Sequence, residues 1–271
     1  MLTEEEFRLF RTLIYDESGM FLKDTKKNFL ETRLTKRMQA TNISTAYWYY
    51  RFVTEHREQE LLVLLDSLTI NETSFFRNPP QIELFRNVIL PGILAGNELS
   101  GRRTVRIWSA GSSTGEEPYT IAMTMLDAVP HPEEWDIRVF ASDISMKSLE
   151  TAHRGIYPAA KVRESMLPAA AARYFEERGG ELRVRDAVRK LVVFDYHNLK
   201  HDNGPTGLNA VFCRNVMIYF DEEEQKRLVH KFHRSLLPGG YLLLGHAESL
   251  HGWNMDFRFI HEDKGTAYKK M

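Results

Sequence analysis

Val105-Arg106-Ile107-Trp108-Ser109-Ala110-Gly111-Ser112-Ser113-Thr114-Gly115-Glu116-Glu117-Pro118-Tyr119 is the stretch on which the reading of the whole chain turns. Val105, Ile107 and Trp108 are strand formers in a short apolar run. Small residues follow from Ser109 to Gly115, then two carboxylates and a proline. Beyond them Tyr119, Ile121, Ala122, Met123, Met125 and Leu126 continue as a helix. The order is strand, glycine-bearing turn, helix. Glycine lets the backbone of such a turn approach a ligand closely. A phosphate at the helix start is disfavoured by Glu116 and Glu117 and by the lack of a P-loop lysine. Acids at that mouth suit a ligand carrying a positive group. The plain alternative is a turn whose acids stabilise the helix dipole.

From Thr104 onward strands and helices alternate, the sign of a parallel α/β sheet. Ile137–Asp143 reads as the second strand and ends in an acid. In doubly wound nucleotide folds an acid there hydrogen-bonds ribose hydroxyls, so Asp143 is a ribose candidate, with a helix cap as the alternative. Further strands are expected at Leu191–Phe194, Leu208–Cys213 and Tyr241–Leu244. A terminal hairpin is expected from Phe257–His261 and Thr266–Lys269. Residues 156–190 break the alternation. Arg178-Gly179-Gly180-Glu181 looks like a tight hairpin turn inside a small antiparallel insertion at about 173–190. Ligands of open α/β sheets lie beyond the carboxyl ends of the strands. That places Gly111, Asp143, Asn198 and Arg214–Tyr219 together, and Asn198 could read an adenine edge. Gly111 to Gly115 is G-x-x-x-G rather than G-x-G-x-x-G, which disfavours NAD. S-adenosylmethionine, with an ammonium and a sulfonium, fits the acids.

The first ~70 residues read as helices. Thr3 and Glu6 form a capping box, and Phe7, Phe10, Leu13 and Ile14 make one apolar stripe. A second helix is expected from about Thr25 to Ala40. On it Lys26, Arg33, Lys36 and Arg37 fall within an arc of about 100°. Six basic and two acidic residues lie between Lys23 and Arg37. This face is a solvated surface or a docking face for an acidic partner. Two more helices are expected at Ala46–Glu55 and Glu58–Leu68. Thr69–Arg77 follows, polar apart from Ile70, Phe75 and Phe76. Asn78-Pro79-Pro80-Gln81 superficially resembles the NPPY motif of amino-group methyltransferases, but it precedes the first strand and lacks the aromatic. It is read as a turn opening a helix Gln81–Ile89. The expected domains are 1–78, helical; 79–103, a linker; and 104–271, the α/β unit.

Composition sets the outer bounds. Across 271 residues, 43% are hydrophobic and 27% charged, as in ordinary globular proteins. The net charge of −1 gives no general pull toward nucleic acid or membrane. Cys213 is the one cysteine, so no disulfide and no thiolate zinc cluster forms within the chain. No apolar run reaches the ~18 residues of a membrane span, and MLTEEEFRLF is not a signal peptide. A cytoplasmic location is expected, with no metal; His197, His246 and His251 are read as structural.

In this order NETSFFR, WSAGSSTGEEPYTIAM, ASDIS, FDYHNL, FCRNVMIYF and PGGYLLLGHAES, behind a helical domain, resemble the chemotaxis receptor methyltransferases, the CheR family. The resemblance covers essentially the whole chain. It implies a class I S-adenosylmethionine-dependent methyltransferase fold, Rossmann-like, whose last strand is antiparallel, with an N-terminal all-helical domain and a small inserted antiparallel β-subdomain. It implies methyl transfer to glutamate side chains on cytoplasmic helices of chemoreceptors, with S-adenosylhomocysteine as product. It places cofactor contacts at Asn71, Thr73, Arg77, Gly111, Glu117, Asp143, Asn198, Leu199, Arg214 and Asn215. Glu116 is a weaker candidate. Arg77 and Tyr219 are implied near the transferred methyl. Lys26, Arg33, Lys36 and Arg37 become the expected receptor-docking face. The short Arg178–Glu181 loop departs from members that dock on a receptor's C-terminal pentapeptide, so such a tether is not expected. The chain is expected to act as a monomer, without nucleic acid. A non-catalytic S-adenosylmethionine-binding signalling module is the alternative from another class.

Overall fold

The computed structural model describes residues 2–271. Four helices build the N-terminal unit: α1 (Glu4–Ser18), α2 (Lys27–Thr41), α3 (Ala46–Glu55) and α4 (Leu62–Leu68). Thr3 caps α1, its hydroxyl accepting from the Glu6 N–H while the Glu6 carboxylate accepts from the Thr3 N–H. Phe7, Phe10 and Ile14 of α1 pack with Leu30, Leu34, Tyr49, Val53, Leu64 and Leu65 in one small core. The expected helix at Glu58–Leu68 begins with a wide π turn, Arg57–Leu61, before α4. That turn buries Glu60, which is satisfied from two sides. Arg37 donates to both of its oxygens at 2.8–2.9 Å, and the Tyr49 hydroxyl donates at 2.6 Å.

The helix in the linker is longer than the expected Gln81–Ile89. α5 (Pro79–Leu84) opens with proline at N1, passes through a π turn at Phe85–Ile89 and continues as α6 (Leu90–Leu99). A proline ring inside a helix clashes with the carbonyl four residues back. For Pro91 that residue is Asn87, inside the widened turn, so the helix runs on past the expected end at Ile89.

The α/β unit then runs β1 (Thr104–Ala110), α7 (Glu116–Ala128), β2 (Asp136–Asp143), α8 (Met146–Arg154), β3 (Ile156–Pro158), α9 (Ala159–Ser165), α10 (Pro168–Tyr174), β4 (Phe175–Arg178), β5 (Glu181–Val184), α11 (Asp186–Arg189), β6 (Val192–Tyr196), β7 (Leu208–Cys213), α12 (Glu222–Ser235), β8 (Leu236–Leu244), β9 (Phe257–Glu262) and β10 (Gly265–Lys270). Seven strands form the main sheet in the order β6-β2-β1-β7-β8-β10-β9. β1, β2, β6, β7 and β8 are parallel, and β10, the last strand in the chain, runs antiparallel to both neighbours. Successive side chains of a strand face opposite ways. Val105 and Ile107 therefore join the core beneath α5–α7, whereas Trp108 and Ala110 join the one beneath α12. The small sheet, β3-β5-β4, is antiparallel and turns at Gly179-Gly180, both with positive φ. It also takes β3 from Ile156–Pro158, outside the 173–190 stretch expected for the insertion. Strand order reverses between β1 and β7, so a crevice opens above their carboxyl ends.

Candidate active site

A cleft of about 220 Å³ occupies that crevice. It is lined by every residue nominated from the sequence for cofactor and chemistry except the weaker candidate Glu116: Asn71, Thr73, Arg77, Gly111, Glu117, Asp143, Asn198, Leu199, Arg214, Asn215 and Tyr219. Chemistry-bearing residues as much as 148 positions apart, from Asn71 to Tyr219, thus share one space.

The glycine turn forms the floor. Gly111 and Ser112 donate their N–H groups to the Ser142 carbonyl at the end of β2, at 2.8 and 2.9 Å. Gly111 has φ +80°, and a β-carbon there would stand 2.4 Å from Val216, so glycine is required on both counts. Asp143 is buried and accepts from the Ser113 N–H and the Ser145 N–H, each at 2.8 Å. Burial raises its pKa, while these backbone N–H groups oppose the rise. The cap of α8 is Ser145, whose hydroxyl accepts from Ser148 N–H, so Asp143 is not spent as a helix cap. Its carboxylate instead shapes the turn and faces the cleft.

The two acids of the turn part company. Glu117 faces the cleft, accepting from Ser109 Oγ at 2.8 Å and from Arg214 at 3.2 Å. Burial raises its pKa, with Arg214 and Ser109 pulling the other way. Glu116 is fully buried on the far side of the helix, against Lys161 of α9 and the Thr114 hydroxyl. Arg214 also donates to the Arg77 carbonyl at 2.6 Å, while its Nε and the Ser112 hydroxyl are buried without protein partners.

Arg77 closes one side of the mouth. Its guanidinium donates to the Glu72 carbonyl at 2.9 Å and its charge acts on the half-buried Tyr219. Burial raises the Tyr219 pKa, so the phenol is a neutral hydroxyl at pH 7. Four non-glycine residues around the cleft hold positive φ: Phe76, Asn78, Ser113 and Asn215. For a residue as bulky as Phe76 this conformation is costly, and such strain gathers where surrounding structure over-determines a working geometry. Phe75, wedged edge-on between Tyr157 and Phe175, is the anchor beside it.

Several participants escape a reading of sequence. Ser18 and Met20 from the end of α1, together with Ile70, also line the cleft. Phe21 donates its N–H to the Tyr219 carbonyl at 2.8 Å, strapping the helical unit to the mouth. Asn198 donates to the Glu17 carbonyl at 2.7 Å and accepts from Lys200 N–H, so much of its amide is already engaged. Glu248 accepts from the N–H groups of Gly245, Asn215, Val216 and Met217 at 2.6–2.9 Å. A carboxylate three residues after a strand-ending glycine was the signal for it. On the expected docking face Arg37 is a correction: it is held by Glu60 and is not free to meet a partner. Arg33 lies over the Phe29 ring at 5.1 Å with Lys26 at 5.9 Å from it, and Lys36 is exposed. Among the described residues no group of His, Cys, Asp and Glu is arranged to hold a metal, and no helix is long and apolar enough to cross a membrane.

The sheet order, the glycine turn at the strand switch and the acid ending β2 define a class I methyltransferase fold. Residues 71–266 match the CheR methyltransferase, SAM binding domain, and residues 5–69 match the CheR methyltransferase, all-alpha domain. Chemotaxis protein methyltransferase 2 of Vibrio cholerae serotype O1 is 34% identical over 276 residues, covering 100% of this chain and 94% of its own. The chemotaxis protein methyltransferase of Salmonella typhimurium is 36% identical over 256 residues, covering 92% and 85%. The chain belongs to the CheR methyltransferase family. Its general activity is S-adenosylmethionine-dependent methylation in chemotaxis.

Proposed function

We propose that this protein methylates glutamate side-chain carboxylates on the cytoplasmic helices of chemoreceptors, giving glutamate methyl esters and S-adenosylhomocysteine during sensory adaptation. The observation that carries this reading is that Arg77 and Tyr219 both line the cleft, a cation and a neutral hydroxyl within electrostatic reach of each other. Both groups suit a carboxylate, and neither is a base. None is needed: a glutamate with a pKa of about 4.3 is already ionised at neutral pH. S-adenosylmethionine, when bound, supplies a methyl made electrophilic by its sulfonium. With it bound, a carboxylate oxygen of the acceptor would take the methyl and the C–S electron pair would stay on sulfur, leaving the chain's residues no proton to move.

The chain's own work is then binding, alignment and exclusion of water. The residues fit such a cofactor. Asp143 has acceptor capacity left for ribose hydroxyls, and Leu199 with Ile144 offers apolar surface to adenine. Asn198 has one N–H to spare for a base edge. The Glu117–Arg214 pair matches the ammonium and carboxylate of the amino-acid end, and the buried, unpartnered Arg214 Nε and Ser112 Oγ lie in the same wall. Asn71, Thr73 and Asn215 complete the polar rim. Lys26, Arg33 and Lys36 favour acidic receptor helices. The two-residue turn at Gly179-Gly180 favours direct docking over a pentapeptide tether. The protein acts in the cytoplasm as a monomer.

The test is incubation with methyl-labelled S-adenosylmethionine and receptor cytoplasmic fragments, with nucleic acid as control. Base-labile label on receptor glutamates, released as methanol, is expected. Cofactor binding without any such transfer would instead make the protein a signalling module that senses S-adenosylmethionine.

A further inference from the structure

Lys231 of α12 is 2% exposed and faces the interior, where a lysine is rarely placed without a reason. Its ammonium has three protons and three acceptors: His197 Nε2 at 2.7 Å, the His201 carbonyl at 2.5 Å and the Leu199 carbonyl at 3.4 Å. The Trp108 ring lies 5.5 Å from the nitrogen and completes the enclosure. All three acceptors belong to the loop after β6, which carries Asn198 and Leu199 into the cleft. Arg227 reaches the same Leu199 carbonyl at 3.3 Å. Gly204, at φ +147°, lets the loop pass over Trp108 and the lysine stem, where a β-carbon would come within 3.2 Å of the ring.

We propose that Lys231 is a positioning residue for the adenosine end of the cofactor, holding the His197–His201 loop in its binding shape from behind. This rests on the reading that adenine lies against Asn198 and Leu199. Lys231 touches no reactant; it acts through a loop that is also tied by Arg227 at the Leu199 carbonyl, by the Asn198 and Lys200 side chains to the Glu17 and Tyr15 carbonyls, and by the His197 N–H to the Asp143 carbonyl.

The arrangement is sensitive to protonation. His197 has its pKa lowered to about 4, first by burial and then by the lysine charge, so it is neutral and accepts at Nε2. Burial, with Arg227 and Arg234 on its own helix, lowers Lys231 to about 8, against opposing Asp202 and Cys213. The His201 ring stands on the same loop, and Asp195 at the end of β6 faces His197. Below pH 8 the ammonium satisfies all three acceptors. Above it the amine keeps two N–H groups for the two carbonyls, and its contact with His197 loses its charge assistance. Cofactor affinity should therefore be full below pH 8 and fall above it.

The test uses the full chain and calorimetry with 5′-methylthioadenosine, which has no amino group to titrate in the window. Wild type should bind roughly 3–10-fold more weakly at pH 9.5 than at pH 7, as expected when one hydrogen bond loses its charge assistance. Lys231→Arg, charged throughout, should show no such decline. Lys231→Met should lose the same factor at pH 7 while kcat at saturating S-adenosylmethionine stays within about twofold. Parallel pH profiles for wild type and Lys231→Arg overturn the proposal, and they do so even if Lys231→Met fails to fold. So does a folded Lys231→Met that binds like wild type at pH 7. Asp143→Ala separates the underlying reading: unchanged affinity for S-adenosylhomocysteine there would mean the adenosine lies elsewhere, whatever Lys231 does.

Discussion

The two walls of the cleft are built differently. The sheet-side wall is organised by carboxylates that gather backbone N–H groups, the buried Asp143 with two and the half-buried Glu248 with four. The helical-side wall, from Leu68 to Arg77 and the end of α1, is half-exposed and held by scattered single bonds. Among these are Arg77 to Glu72, the Ser113 hydroxyl to Asn71 at 3.3 Å and Phe21 to Tyr219. A wall held by charge-assisted bonds in a dry setting keeps its shape without a ligand. One held by single, partly wet bonds can yield. On the proposed function, the cofactor would meet a preformed surface on one side and the acceptor would enter past an adaptable one.

Substitutions can break this division or sharpen it. The largest effect is expected at Arg77. Arg77→Ala should lower turnover by roughly 100-fold or more, as for removal of an electrostatic contact to the reacting group, with a small change in melting temperature. If activity and fold disappear together, Arg77 belongs to the scaffold and the two walls are not functionally distinct. Arg37→Ala comes next. It strips the buried Glu60 of its cation and should cost the helical domain about 3 kcal/mol in urea denaturation. Affinity for S-adenosylhomocysteine should be preserved; an equal loss of affinity would show that the helical core and the sheet-side wall are coupled. Asp143→Ala should weaken S-adenosylhomocysteine by about 1.5–3 kcal/mol in calorimetry, the range for hydrogen bonds to a charged group. The smallest effect belongs to the docking face. Lys26→Glu with Lys36→Glu should raise the KM for receptor fragments by an amount worth under about 1 kcal/mol per site and flatten its salt dependence. Normal rates over a range of salt would leave that face as mere solvated surface.

On the sheet side the glycine turn and Asp143 were legible in the sequence and Glu248 was not; on the helical side Asn71, Thr73 and Arg77 came from the family resemblance, and the end of α1 was not foreseen. A strand, its glycine turn and the next helix are contiguous, so Val105–Tyr119 carries its own geometry. Asp143 ends a strand whose apolar pattern is local. The helical side depends on two units meeting, and nothing near Ser18 or Met20 signals that the end of α1 will cap a cleft formed about 100 or more residues later. The same limit explains Arg37. Its helical face is periodic and readable, but its partner Glu60 sits in a π turn that the regular 3.6-residue period does not anticipate. β3 was missed because three residues ending in proline carry no alternation to read.

Glu248 gives the C-terminal tenth of the chain authority over the reaction mouth. The loop from Asn215 to Met217 takes its shape from a carboxylate that follows β8, and Tyr219 stands two residues beyond that loop. β9 and β10, which line no part of the cleft, are built on the same segment. Removing residues after Leu244 would take Glu248 from the N–H groups of Asn215, Val216 and Met217, and β10 from its place beside β8. A carboxylate outside the cleft thus shapes the turn that leads to Tyr219, while the glycine turn is held by the end of β2 and by Asp143.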